Sequence, residues 1–213
     1  MTSEPAQRSD LWVFGYGSLI WKPGFPFVQS KRAVLVGFHR ALCVFSVRYR
    51  GCSERPGLVF GLDEGGFCEG VAFRVAAEHV AATKTYLRDR EQVTGAYRAG
   101  IRNVEFAGQA EPVRALAFMA NRHHLQYAGR LPTATQVRVV RASAGVSGPN
   151  ADYVLSTAKH LAELGIRDQH VQHIAARLGR SVSALRVAYP RAQIASLPPD
   201  RALRCSYQRN LGI

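Results

Sequence analysis

Two places in this sequence hold residue types that could do chemistry. The first is the run Gly15-Tyr16-Gly17-Ser18-Leu19, which leaves an apolar stretch, Leu11 to Phe14. Paired glycines let a backbone bring successive N–H groups to one side, a concavity that suits a carboxylate, although the same residues also make an ordinary tight turn. The second is Glu91. Val80, Lys84, Leu87 and Glu91 fall at i, i+4, i+7 and i+11, so a helix over Ala77 to Arg90 would aim Glu91 at packed protein. Burial and the negative end of the helix dipole both disfavour the ionised carboxylate, which raises its pKa toward general acid/base use. A glutamate at a helix end can also be half of an ion pair with Arg88, Arg90 or Arg98, and pairs of that kind contribute little.

Other chemistries lack their parts. A nucleophile elbow would put serine between the two glycines, where this chain has Tyr16, and no pattern supplies Ser18 with a base held by an acid. Cys43, Cys52, Cys68 and Cys205 show neither CxxC pairing nor finger spacing, which fits packing roles in a reducing compartment. His123 with His124, and His170 with His173, lack an acidic or thiol ligand at matching spacing. No metal and no cofactor are expected.

The elements that must position these residues are strands first and helices later. Leu11 to Phe14, Ala33 to Phe38, Ala41 to Val47 and Leu58 to Leu62 are strand-like, with a joint around His39 and Arg40 and a loop from Arg50 to Gly57. Asp63-Glu64-Gly65-Gly66 predicts a hairpin turn before the alternating Val71, Phe73 and Val75. After the helix that carries Glu91, Gly95 is a stop, and Ile101 to Phe106 and Val113 to Met119 return to strand composition. Asn150 is the expected N-cap of a helix with the stripe Val154, Leu155, Ala158 and Leu161, closed by Gly165, and Asp168 caps another to Leu178. We expect a polar tail over 1–10, one domain over 11–190 and a C-terminal tail over 191–213.

A chain of 213 residues, 47% hydrophobic, can bury one ample core. No stretch approaches the roughly 20 apolar residues of a membrane span, and the polar start lacks a signal-peptide pattern, so a cytoplasmic protein is expected. The net charge of +13 comes from singly spaced residues, nearly all arginine. A nucleic-acid stripe should cluster, so no specific nucleic-acid partner is expected, whereas a small anionic substrate could be attracted.

The run Val13-Phe14-Gly15-Tyr16-Gly17-Ser18-Leu19-Ile20-Trp21-Lys22-Pro23-Gly24-Phe25 resembles the N-terminal signature of the ChaC-type γ-glutamylcyclotransferases. Further segments agree in order: Ser46 through Arg50-Gly51 to Pro56-Gly57-Leu58, then Tyr86 to Glu91 with Thr94-Gly95 and Tyr97, then Gly148-Pro149-Asn150 and Tyr153. The resemblance implies an α+β fold, a small mixed β-barrel flanked by helices. It implies a lyase that converts glutathione to 5-oxoproline and cysteinylglycine without a cofactor. By the same resemblance Tyr16, Gly17, Ser18 and Leu19 hold the glutamyl end, Glu91 is the catalytic acid/base, and Tyr153, Ser46 and Arg50 belong to the pocket. One departure is Gln92, where the family often has methionine. Two other readings stand beside this one: a cyclotransferase for another γ-glutamyl amine or peptide, and a non-enzymatic basic binding or regulatory protein.

Overall fold

The computed structural model describes residues 9–91 and 94–179; Gln92, the end of the expected domain near residue 190 and the C-terminal tail lie outside the described residues. Five strands, β1 (Leu11–Gly15), β2 (Gln29–Ser46), β3 (Gly57–Val75), β4 (Tyr97–Glu105) and β5 (Val113–Ala120), close a barrel in the order β1-β3-β2-β4-β5. Helix α1 (Val80–Glu91) links β3 to β4, and α2 (Thr133–Ala142), α3 (Asn150–Glu163) and α4 (Gln169–Leu178) follow β5. The expected mixed barrel flanked by helices is therefore present.

Pairing divides the barrel into two ribbons. β2 and β3 run antiparallel from Gln29↔Arg74 to Ser46↔Gly57, and β1 extends this ribbon along β3 from Leu11↔Val75 to Gly15↔Val71. β4 and β5 form the second ribbon, a hairpin from Tyr97↔Ala120 to Val104↔Val113. The seams between ribbons are thin: Val34 and Leu35 meet Glu105 and Val104 on one side, and Trp12 and Val13 run parallel to Ala115 and Leu116 on the other. A single further pairing joins Leu62 to Met119. Phe14, Leu35, Phe45, Leu58 and Leu62 fill the interior with almost no exposure, and burial of such side chains contributes about 1.5–3 kcal/mol each.

Several local expectations are corrected. Ala33 to Phe38 and Ala41 to Val47 belong to one strand, with His39 and Arg40 inside β2 instead of at a joint. Asp63 to Gly66 is no hairpin turn either; it lies within β3, beside a register shift between Val36 and Phe38. Gly37, Gly65 and Gly66 have φ of 87°, 97° and 70° there. Turn-type residues here supply the left-handed geometry of a bulge that curls a long strand into a barrel.

Helix starts show the same tension between residue type and context. Asn150 does not cap α3, whose N-cap position is Pro149. Its fully buried side chain accepts from Leu58 N–H at 2.7 Å and donates to Leu58 C=O at 2.8 Å, so the amide acts as a missing strand neighbour of β3. Asp168 does cap α4, accepting from Val171 N–H at 3.0 Å. On α1, Thr83 and Leu87 face inward while Lys84 is exposed, and on α3 Leu155 lies outside the buried stripe. Nothing in the sequence marked α2, because Val137, Val139 and Val140 are residue types at home in strands.

Candidate functional site

A pocket of about 660 Å³ opens where the two ribbons and α3 meet. Tyr16, Gly17, Ser18, Leu19, Ser46, Arg50, Glu91 and Tyr153 all line it, together with Trp21, Phe60, Tyr86, Arg90, Tyr97 and Phe118. Residues far apart in sequence are thus brought to one cavity.

Beyond β1 the chain makes one 3₁₀ turn, Ser18–Ile20. Ile20 N–H donates to Gly17 C=O at 3.0 Å, and Trp21 and Lys22 N–H donate to Ser18 C=O at 3.3 and 2.8 Å. The N–H groups of Ser18 and Leu19, at the start of the turn, have no acceptor among the described residues. Such leading N–H groups carry partial positive charge and suit an anionic or polarised oxygen. Gly15 and Gly17 are absent from the positions with positive φ. They are needed for close approach instead: a Cβ on Gly15 would lie 3.0 Å from Leu19 Cβ, and one on Gly17 would lie 3.1 Å from Tyr153 Oη.

The loop is anchored from below. Tyr16 Oη donates to Phe118 C=O at 2.8 Å, a bond between the two ribbons, and Tyr16 C=O accepts from Arg40 Nε at 2.6 Å. Arg40, with 2% of its side chain exposed, also donates to Glu69 C=O and reaches Asp168 Oδ2 at 2.5 Å. Tyr97 Oη supplies a second bond between ribbons, donating to Phe60 C=O at 2.9 Å.

Glu91 ends α1 with 17% of its side chain exposed, and its Oε1 lies 3.0 Å from Arg90 Nε. Burial pushes its carboxyl above the ordinary 4.5, and the charge and hydrogen bond of Arg90 offset this only in part. The two alternatives left by the sequence therefore coincide: the carboxylate faces the pocket and is paired, with Arg90 as its partner. Arg90 does more than pair. Its Nη1 donates to Lys22 C=O at 2.6 Å, Pro23 C=O at 3.1 Å and Tyr86 Oη at 2.9 Å, and its Nη2 donates to Ser18 Oγ at 2.8 Å.

Tyr153 stands opposite, its ring 5.6 Å from that of Phe60 and 5.6 Å beneath the Arg50 guanidinium. Its Oη accepts from Phe60 N–H at 3.1 Å, and the phenol proton has no acceptor among the described residues. Burial first raises the pKa of Tyr153 and holds Tyr16 and Tyr97 well above the ordinary 10; the charge of Glu91 adds to the rise in all three, for Tyr97 after the neighbouring phenols of Tyr16 and Tyr153. All three phenols stay protonated at neutral pH. Ser46 turns its hydroxyl to the local backbone, accepting from Arg50 N–H at 3.0 Å, and Arg50 Nη1 donates to Pro149 C=O at 3.0 Å. Burial lowers the Arg50 pKa from its ordinary value. Arg90 and Tyr97 were not assigned a role from sequence; the one available signal was an arginine adjoining the acid.

This arrangement can bind a polarised oxygen, exchange one proton through a carboxylate, and donate a hydrogen bond from a phenol. Among the described residues no cluster of His, Cys, Asp or Glu could hold a metal, and no helix is long and apolar enough to cross a membrane.

A family model of ChaC-like proteins matches residues 11–181. The glutathione-specific gamma-glutamylcyclotransferase of Escherichia coli (strain K12) is 34% identical over 158 residues, covering 74% of this chain and 68% of its own length. Glutathione-specific gamma-glutamylcyclotransferase 1 of Homo sapiens is also 34% identical, over 176 residues, 79% of this chain and 78% of its own length. Among solved structures, the yeast gamma-glutamyl cyclotransferase specific to glutathione superposes with a TM-score of 0.74 at 20% identity, over 80% of this chain and 96% of the yeast chain. That likeness is one of fold, and together with the sequence matches it means that this chain belongs to the ChaC-like family.

Proposed function

We propose that this chain is a lyase that cleaves glutathione at its γ-glutamyl amide, releasing 5-oxoproline and cysteinylglycine. The α-amine of the glutamyl part attacks its own γ-carbonyl and closes a five-membered ring, so the nucleophile belongs to the substrate and no protein nucleophile is required. Glu91 takes one proton from the ammonium group and the freed amine attacks; the ring nitrogen loses a second proton as its C–N bond forms, and the old amide C–N bond breaks. Glu91 returns its proton to the departing nitrogen, and the second proton completes the ammonium group of cysteinylglycine.

One observation carries this reading: a mostly buried carboxylate faces the same pocket as the unpartnered N–H groups of Ser18 and Leu19. In this reading those N–H groups hold the glutamyl end, and the spare phenol proton of Tyr153 donates to the oxygen on which negative charge develops. Ser46 and Arg50 shape the far wall. Glutathione as substrate is supported by the names of the relatives at 34% identity. The buried thiols Cys43 and Cys68 agree with a reducing, cytoplasmic setting.

Purified Glu91→Gln, assayed beside wild type for 5-oxoproline release from glutathione, should lose about 10²- to 10⁴-fold in kcat while remaining folded. Turnover at a near wild-type rate would remove Glu91 from the mechanism. Running γ-glutamyl dipeptides in the same assay separates a glutathione enzyme from one that accepts other γ-glutamyl amides.

A further inference from the structure

We propose that Arg90 is a positioning residue for this reaction, a clamp that fixes Glu91 through one oxygen and ties it to the loop that holds the glutamyl end. The inference rests on Glu91 being the proton carrier. Its basis is the fan of contacts made by one guanidinium. Nε holds Glu91 Oε1 at 3.0 Å, Nη2 holds Ser18 Oγ at 2.8 Å, and Nη1 holds Lys22 C=O, Pro23 C=O and Tyr86 Oη. Both ends of the proposed catalytic apparatus are therefore fastened to a single planar group that is 19% exposed. A planar fork of five donors can do this, and a lysine cannot.

The consequence for the carboxylate is directional. With Oε1 engaged by Arg90, Oε2 is the oxygen left to accept the ammonium proton and deliver it to the departing nitrogen. Leu19 and Leu87 pack the loop and the helix end in one apolar cluster, and Arg90 adds the directional hydrogen bonds between them; an error of about 1 Å in such geometry costs about 10²-fold in rate. Arg90 fixes their separation before substrate arrives.

Electrostatics gives a readout that a merely structural residue would not move. Burial raises the Glu91 pKa and Arg90 opposes that rise. The other ionisable groups that act with Glu91 come from three further elements: Tyr16 after β1, Tyr97 on β4 and Tyr153 on α3, all neutral phenols at neutral pH. Lys22, Arg48 and Arg50 complete the charged groups of the pocket wall. Among the described residues Arg90 is the one cation that lowers the Glu91 value directly. Its removal leaves burial unopposed, and the pH at which Glu91 becomes a usable base moves up.

The test compares wild type, Arg90→Gln and Arg90→Lys in glutathione turnover across pH, with melting temperature recorded for each. In Arg90→Gln the acidic limb of kcat/KM should move to higher pH and kcat should fall about 10²-fold. Arg90→Lys should return the limb toward wild type by restoring the charge, while kcat stays low because the fork is missing. An unmoved acidic limb in Arg90→Gln would overturn the inference, whether or not the protein is destabilised. So would full recovery of kcat in Arg90→Lys. If Arg90→Gln does not fold, Arg90→Lys alone decides by its kcat. Glu91→Gln in the same series keeps the two ideas apart: an active Glu91→Gln refutes the proton carrier, whereas an inactive one beside an unaffected Arg90→Gln refutes only the clamp.

Discussion

Glu91 combines three properties that a proton carrier needs: burial, a raised pKa and a place in the pocket wall. Its carboxyl is buried in a pocket wall, and its pKa in the folded chain is raised above 4.5, first by burial. An acid whose pKa is raised by folding holds its proton better when folded, so that contribution to stability is complete below about pH 4.5 and is lost as pH rises through the folded-state value. Glu91→Gln cannot ionise and escapes that loss. Its melting temperature relative to wild type should therefore climb as pH rises above about 4.5, as measured by thermal unfolding at a series of pH values. A constant difference across that range would mean that Glu91 is as well solvated in the folded chain as in the unfolded one. Such a variant, more stable and less active, is the mark of a group retained for chemistry.

Among the elements, β3 shows most clearly how neighbours settle what a residue does. Asn150 looks like a helix cap because asparagine often caps helices, yet its amide is spent on both main-chain groups of Leu58. Asn150→Ala should leave those buried groups unpaired and cost about 1–3 kcal/mol, read as a lower urea midpoint with an unchanged slope. Gly65 and Gly66 look like a turn because turns and bulges both need left-handed backbone, and only pairing with β2 distinguishes them. The glycine loop and Glu91 were legible because each is contiguous and rare in type. The ion pair of Glu91 was narrowed to three arginines, but the five contacts of the Arg90 guanidinium form only once residues 18–23 and 86–91 come together. The barrel was legible in its strands and illegible in its pairing, since period and turn chemistry say nothing of which strands meet.

For the whole molecule, the charge of +13 bears on encounter more than on fold. Glutathione is anionic at neutral pH, and the pocket wall sets Lys22, Arg48, Arg50 and Arg90 against the single acid Glu91. Raising ionic strength from about 0.01 to 0.15 M shortens the Debye length from about 30 to 8 Å. KM for glutathione should rise over that range with kcat little changed, in steady-state assays at fixed pH. A KM indifferent to salt would mean that short-range hydrogen bonds alone recognise the substrate.

Two ribbons joined by thin seams, with the phenols of Tyr16 and Tyr97 reaching across, place the pocket at the molecule's own line of parting. Whatever occupies that cavity becomes a temporary rivet between the halves. Binding free energy is then also cohesion free energy. Slowed amide exchange on substrate or product binding should extend into the β4–β5 hairpin, well past the residues a ligand could touch.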